Sequence, residues 1–438
     1  MKASVSAQGR PVVGFAGMTH LGIVSAASVA DKGFRTVCYS SDAELTGRLT
    51  KGQLPVIEPG LDDLVSGNAE RLVFSSDLGS LAACDLVYIA TDVPTDDTGR
   101  SDLGPIKALI ENVVGALKPD ALLVILCQVP PGFTRAIDSV APGQLYYQVE
   151  TLVFGRAVAR AMHPERTIIG CADPSVPLDA RFNALLAAFG CPLLPMRYES
   201  AELAKIAINC CLVSSISVAN TLSELCEAIG ADWSEIVPAL KLDARIGKQA
   251  YLAPGLGIAG GNLERDLATV IQLSERHGTN SDVVRAWLTN SRHRRDWAAA
   301  EIRRVLLSRK LGATVAVWGL AYKENTHSTK NSPSLATLSR LPDTRFVVHD
   351  PVVPASAAAH PHATGVDDPL QALAGADALM ILTPWPQYRV ISPTDIANAL
   401  GGRIVLDPYG VLDRREARVA GLDYYSLGLP HEPIAGSN

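Results

Sequence analysis

The 438-residue chain has no cysteine after Cys226, and none of its eight cysteines forms a CxxC pair. Several of the eight sit inside apolar runs and read as small buried hydrophobes in a reducing compartment. No excess of positive charge is present either: 39 Lys and Arg stand against 45 Asp and Glu, a net charge of −6. Without a basic block there is no electrostatic footprint for DNA or RNA. No uninterrupted apolar run reaches the roughly 20 residues of a membrane span. The first residues, MKASVSAQGRPVVGFAG, lead toward a strand without a signal-like apolar segment, so a cytoplasmic location is expected. Aromatic residues make up only 5% of the chain while hydrophobic residues reach 47%, which points to an Ala/Val/Leu-rich α/β core. The length calls for two or three domains.

What is present alternates in a regular way. Short apolar runs at 11–16 (PVVGFA), 36–39 (TVCY), 86–90 (LVYIA), 122–127 (LLVILC) and 167–170 (TIIG) are separated by amphipathic stretches. This is the pattern of a parallel sheet with crossover helices. From about residue 200 to 230 the chain reads as one long helix with Leu203, Ile206, Leu212, Ile216 and Leu225 among its apolar positions. That length suits an interdomain spine or a dimer interface. More helices are expected through about residue 308, broken by a Gly-rich segment at 253–262, before strand patterns return in VAVWGLA, FVVHDP, ALMILTPW and RIVLDPYG. The expected architecture is α/β: two Rossmann-like doubly wound domains joined by a long central helix and a helical middle domain. The boundaries are expected at residues 1–198, 199–308 and 309–438. The two α/β halves are not visibly a sequence repeat.

After the opening strand comes Gly17-Met18-Thr19-His20-Leu21-Gly22, followed by an Ala-rich helix. In this position a glycine turn offers backbone N–H groups and a helix N-terminus to a dinucleotide pyrophosphate. Thr19 replaces the middle glycine of GxGxxG; its Cβ limits backbone approach, although its hydroxyl can donate to phosphate. His20 can contact cofactor or make a structural hydrogen bond. The second strand should end in an acid for the ribose 2′-hydroxyl. Here it ends in Tyr39-Ser40-Ser41-Asp42, so the acid is either replaced by Ser40 or displaced to Asp42. NAD is favoured over NADP because no arginine adjoins the two serines.

Several landmarks recur in a familiar order. They are this turn, Pro55-Val-Ile-Glu58-Pro59-Gly60-Leu61, Pro94-Thr95-Asp96-Asp97-Thr98-Gly99, and Ser200-Ala-Glu-Leu-Ala-Lys205-Ile-Ala-Ile-Asn209. Leu242-Asp-Ala-Arg245-Ile-Gly247 follows, then Gly319-Leu-Ala-Tyr-Lys323-Glu-Asn-Thr326 with Ser332-Pro333. Together, from about residue 12 to 428, they resemble the UDP-glucose/GDP-mannose dehydrogenase family. The resemblance implies an N-terminal NAD domain, a central helical dimerisation domain and a C-terminal nucleotide-sugar domain, assembled as a homodimer. Members of that family oxidise a primary sugar alcohol to a carboxylate in two hydride transfers, capturing the aldehyde on a cysteine within a GPGYGGSCFPKD-like pattern. Counted back from the shared aspartate, this chain reads Gly255-Leu-Gly257-Ile-Ala-Gly260-Gly261-Asn262-Leu-Glu-Arg265-Asp266, which places Asn262 at the nucleophile position.

Other roles carry over one at a time. Lys205 and Asn209, i,i+4 on one helix face, match the pair that stabilises the sugar oxyanion. Asp266 matches the aspartate that handles a proton through water, although it could also be an N-cap for the helix after it. Glu150 matches the glutamate of a PEFL-like motif, with Val149 in place of the proline and Phe154 in place of a second glutamate. Gln128 replaces a threonine before Val129-Pro130, and the usual arginine is missing from Asp407-Pro-Tyr-Gly410. The resemblance also assigns Thr91 and Lys323 to the cofactor, and Arg245, Tyr251, Gly255, Gly257 and Gly260 to the substrate. His327 has no second ligand nearby, so no metal is expected. A carboxamide cannot replace a thiolate as nucleophile. The expected reaction is therefore a two-electron alcohol/carbonyl interconversion on a nucleotide-linked sugar or nucleoside. A non-catalytic nucleotide-sugar binder, and a four-electron enzyme working without a thioester, are the alternatives.

Overall fold

The computed structural model describes residues 9–96 and 99–430; Asp97, Thr98 and the residues at either end of the chain lie outside them. The chain divides into two compact units, Met1–Ala207 and Ile208–Asn438.

The first unit is built on an eight-stranded sheet: β1 (Val13–Ala16), β2 (Thr36–Tyr39), β3 (Leu72–Ser75), β4 (Leu86–Ile89), β5 (Leu122–Ile125), β6 (Leu145–Gln148), β7 (Thr167–Cys171) and β8 (Leu193–Arg197). Their order across the sheet is β3-β2-β1-β4-β5-β6-β7-β8. Only the β6–β7 pair is antiparallel. The first six strands thus follow the 3-2-1-4-5-6 order of dinucleotide-binding folds. Strands β1, β2, β4 and β5 are buried along their whole length. Helices on both faces demand this, which is why these strands appear in the sequence as unbroken apolar runs. The five strands expected from the sequence are present, β2 with the expected ends and the others with one end shifted by one or two residues; β3, β6 and β8 were not expected.

The second unit carries helices Trp233–Leu242, Asn262–His277, Asp282–Arg295 and Trp297–Ile302 before a six-stranded parallel sheet. Its strands are β9 (Thr314–Trp318), β10 (Arg345–His349), β11 (Ala363–Gly365), β12 (Ala378–Ile381), β13 (Ile404–Leu406) and β14 (Asp423–Tyr425). They are ordered β11-β10-β9-β12-β13-β14, the same 3-2-1-4-5-6 pattern again. Trp318 at the end of β9 is fully buried and stacks on Tyr388 with ring centroids 4.9 Å apart.

The helices after residue 208 belong to the same compact unit as the second sheet, and a buried charge ties the long helix to the chain after β14. Glu227 accepts from Arg294 Nη2 at 2.7 Å, from Trp297 Nε1 at 3.3 Å and from the Gly428 N–H at 2.8 Å. Arg294 is only 1% exposed, so each member of this cluster needs the others to offset its desolvation.

The long helix runs from Tyr198 to Ile229, 32 residues or about 48 Å. By length and composition it is apolar enough to span a bilayer, although charged and polar residues interrupt every apolar run within it. Among its buried polar residues, Glu202, Asn209 and Glu227 are nevertheless hydrogen-bonded within the protein. Five of the eight cysteines are buried, Cys191 and Cys210 are half-buried, and Cys211 is exposed, so the expectation of burial fails at Cys211. Among the described residues no group of His, Cys, Asp and Glu is arranged to hold a metal ion.

Candidate active site

In the first unit the chain leaves β1 through Gly17, held at φ 102°, and enters the helix His20–Asp31. A Cβ on Gly22 would stand 1.8 Å from the Gly17 carbonyl oxygen, so only glycine lets the helix start this close to the strand. Thr19 occupies the N-cap position without capping; its hydroxyl instead accepts from the Asp92 N–H at 3.1 Å. The first-turn N–H groups therefore have no side-chain cap and form a cradle that suits a phosphate. Leu21 is buried, and Thr91 packs against Gly17 from the loop after β4. At the end of β2, Asp42 caps the next helix by accepting from the Leu45 N–H at 2.9 Å, and Ser40 Oγ accepts from the Asp42 N–H. Ser41 is exposed.

His20, the first residue of that helix, is buried. Its Nε2 lies 3.1 Å from Glu58 Oε2, and its ring stacks on Phe154 with centroids 4.2 Å apart. Glu58 also accepts the Gly155 N–H at 3.0 Å and the Ala157 N–H at 2.6 Å. The loop that begins at the end of β6 is fixed at its other end by Glu150, which accepts from the Leu152 N–H and lies 3.4 Å from Lys205 Nζ. Lys205 retains 13% of its side-chain exposure and Glu150 17%, so neither is a solvated surface group. One turn earlier on the same helix, Glu202 is fully buried. Its two oxygens accept from the Gly132 N–H at 2.6 Å and the Thr134 N–H at 2.8 Å. Burial pushes the Glu202 carboxyl up from its ordinary range in spite of these bonds.

In the second unit, the Asn209 amide donates to Asp266 Oδ2 at 2.5 Å, and Asp266 is 2% exposed. Asp266 is not an N-cap: its helix begins four residues earlier at Asn262, with Gly261 in the cap position. Its carboxylate faces inward, where a partner has to satisfy it. Asn262 is exposed at the helix start. The glycine segment before it is shaped by backbone constraints, with the Gly255 N–H donating to Asn220 Oδ1 and both Gly257 and Gly260 at positive φ. Cys210 is half-buried beside Leu267 and Ile258. Burial and the charge of Asp266 push its thiol up to about 11. Arg245, with 89% of its side chain exposed, pairs with Asp243, and Tyr251 is also exposed.

The second sheet has its own glycine turn, with Gly319 at φ 99° after β9. Here a carboxylate fills it. Asp350, directly after β10, accepts the Leu320 N–H at 2.6 Å, the Ala321 N–H at 3.0 Å and Trp385 Nε1–H at 3.2 Å. Its other oxygen takes the N–H groups of Val352 and Val353, both at 2.9 Å. Lys323, half-buried, extends from the loop after this turn with its ammonium 5.7 Å from the centre of the Tyr322 ring. Asp407 is fully buried and accepts from the Leu412 N–H and the Tyr424 hydroxyl, a structural role. Sequence reasoning gave no role to Glu58, Glu202 or Asp350. Glu58 and Glu202 are buried and Asp350 half-buried, and the partners of each are mostly backbone N–H groups brought in by the fold.

Comparison with known proteins matches the chain, piece by piece, to the UDP-glucose/GDP-mannose dehydrogenase family. Residues 12–189 match its NAD binding domain, 199–292 its central domain and 316–414 its UDP binding domain. The UDP-glucose 6-dehydrogenase TuaD of Bacillus subtilis is 30% identical over 94% of this chain and 92% of its own length. A UDP-glucose 6-dehydrogenase of Pseudomonas aeruginosa is 29% identical over 94% of this chain and 96% of its own. Among solved structures, a UDP-glucose dehydrogenase from the archaeon Pyrobaculum islandicum superimposes with a TM-score of 0.84 at 28% identity, covering 97% of this chain and 99% of that one.

Proposed function

The chain belongs to the UDP-glucose/GDP-mannose dehydrogenase family, with NAD as cofactor, and we propose that it oxidises an alcohol of a nucleotide-linked sugar or nucleoside by two electrons and stops at the carbonyl. The observation that carries this reading is Asn262 at the position where the family's pattern places its nucleophilic cysteine, in a chain with no cysteine beyond Cys226.

The first turn suits NAD because Gly17 and Gly22 bring an uncapped helix N-terminus up to the strand. NAD, when bound, supplies the hydride acceptor. The protein's own task is to hold the alcohol, accept its proton and stabilise alkoxide character. Lys205 and Asn209, one turn apart on the long helix, are assigned to the alkoxide. Asp266 is assigned the hydroxyl proton, taken through water, with Asn209 orienting its carboxylate. Glu150 orients Lys205. Arg245, Tyr251 and the glycines at 255, 257 and 260 are assigned to the substrate, and Lys323 to the cofactor.

In this reading position 262 offers no thiolate to capture an aldehyde. Asn262 is a carboxamide. Cys210, the thiol reached by the charge of Asp266, is pushed up to about 11 by burial and that charge, which disfavours the thiolate near neutral pH. The reading extends to assembly and location. Val218, Leu222, Leu225 and Ile229 recur at helical spacing and are all exposed, the seam expected of a homodimer. The unpaired cysteines suit a reducing cytoplasm.

The test is incubation of the enzyme and NAD with a panel of UDP- and GDP-sugars, with absorbance at the NADH band and mass analysis of products. A product two mass units below its substrate supports the reading. A carboxylate product overturns the two-electron limit. Binding of a nucleotide sugar without turnover overturns the enzymatic assignment.

A further inference from the structure

The loop from 150 to 157 and the dinucleotide turn are separated by more than 120 residues of chain, yet they share one buried carboxylate. Glu58 is 4% exposed and receives His20 Nε2 from the turn as well as the Gly155 and Ala157 N–H groups from the loop. The short helix Ala157–Met162 has no capping side chain of its own at Arg156, so Glu58 supplies the acceptor from a distant part of the sequence. A buried carboxylate left with unmade bonds is costly. Its three contacts are therefore mutually dependent: fixing His20 lowers the cost of holding the loop N–H groups in place. The stack of His20 on Phe154, at 4.2 Å, adds a second connection between the same two segments.

We propose that Glu58 is a positioning residue that couples the dinucleotide turn to the loop carrying Glu150, so that NAD bound at the turn orders the loop. The inference rests on the reading that the cofactor pyrophosphate meets the turn at residues 17–22. Phosphate at the helix N-terminus fixes the backbone of His20, the first helical residue. The imidazole then holds Glu58 and Phe154, and these hold residues 154–157. Glu150 lies on the same loop and faces Lys205, so ordering the loop also sets the orientation of a residue assigned to the alkoxide.

Amide hydrogen exchange of the full-length protein tests this without any sugar. In the wild type, saturating NADH is expected to slow exchange at Gly155 and Ala157 by about tenfold. Glu58→Gln, saturated with NADH at whatever concentration it needs, is expected to lose that difference. His20→Phe keeps an aromatic stack but has no donor for Glu58, and is expected to lose most of it; Phe154→Tyr is expected to keep it. Should Glu58→Gln fail to fold, the His20→Phe and Phe154→Tyr pair decides the matter. If Glu58→Gln or His20→Phe exchanges faster with and without NADH but preserves the tenfold ratio, Glu58 is merely structural and the coupling is overturned. If NADH does not bind the wild type, the reading of the turn itself fails, an outcome distinct from binding without loop protection.

Discussion

The two sheets share a strand order and a glycine turn after the first strand, and they use that turn in opposite ways. After β1 a helix begins three residues beyond Gly17, and its first N–H groups are uncapped. After β9 the N–H groups of Leu320 and Ala321 are already bonded to Asp350, and the next helix does not start until Pro333. The acid at the end of the second strand explains the contrast. The first sheet has Ser40 and Ser41 there, with Asp42 turned to cap its own helix. The second has Asp350, folded back into the turn where a phosphate would otherwise sit. One scaffold thus keeps an anion cradle open in one copy and fills it with its own carboxylate in the other, which is why fold alone does not assign a ligand.

The comparison can be broken most severely at Gly22. Gly22→Val drives a side chain into the Gly17 carbonyl, so NADH affinity is expected to fall by more than about 100-fold and the unit to lose about 3 kcal/mol or more. Fluorescence titration with NADH and thermal denaturation would measure both; affinity within tenfold of wild type would mean that the turn is not the cradle.

Asp350→Ala asks the complementary question. It strands several buried donors, and a loss of about 3 kcal/mol is expected in urea unfolding. UDP-sugar binding is expected to weaken more than NADH binding, because the variant lies in the part of the chain matched to a UDP binding domain. An NADH affinity that fell further than UDP-sugar affinity would erase the proposed division of labour.

A smaller effect is expected from pH at the second turn. Burial holds His349, the last residue of β10, below the usual imidazole range. The unfolded chain then takes up a proton first as the pH falls. Stability attributable to His349 is complete above about pH 6.5 and is lost as the pH drops from there through the folded-state value. Melting temperatures collected from pH 7.5 to 5.5 should show this slope, and His349→Gln should flatten it. An unchanged slope in the variant would assign the pH dependence to other groups.

The smallest change is expected from Thr19→Gly, which restores the middle glycine of the motif. It removes the hydroxyl that binds the Asp92 N–H, a bond worth about 1 kcal/mol. NADH affinity should move by less than about tenfold; a larger gain would show that the threonine Cβ restricts the cofactor.

Much of this was legible in the chain itself. Strands buried on both faces announced themselves as apolar runs, and the glycine turn was plain from its spacing. Edge and short strands did not: β8 has no fully buried residue and no regular alternation, and β11 and β14 have three residues each, too few to establish a period. The start of the helix at Asn262 was hidden because Gly261 caps it with no side chain, so Asp266 could be taken for the cap. The buried acids were hardest to read. Glu58 bonds to residues as far as 99 positions away and Glu202 to residues as far as 70, distances at which no local pattern carries information. The Glu227–Arg294–Trp297 cluster is likewise nonlocal and leaves no local pattern in the chain.

The most direct test of the central claim is the number of NADH formed per nucleotide sugar consumed, counted to completion, with hydroxylamine added only afterwards to label the carbonyl product. Wild type and Cys210→Ser are both expected to give one NADH and an oxime adduct. Two NADH and a carboxylate from either protein would contradict the claim, since the second oxidation would then proceed without a cysteine at position 262.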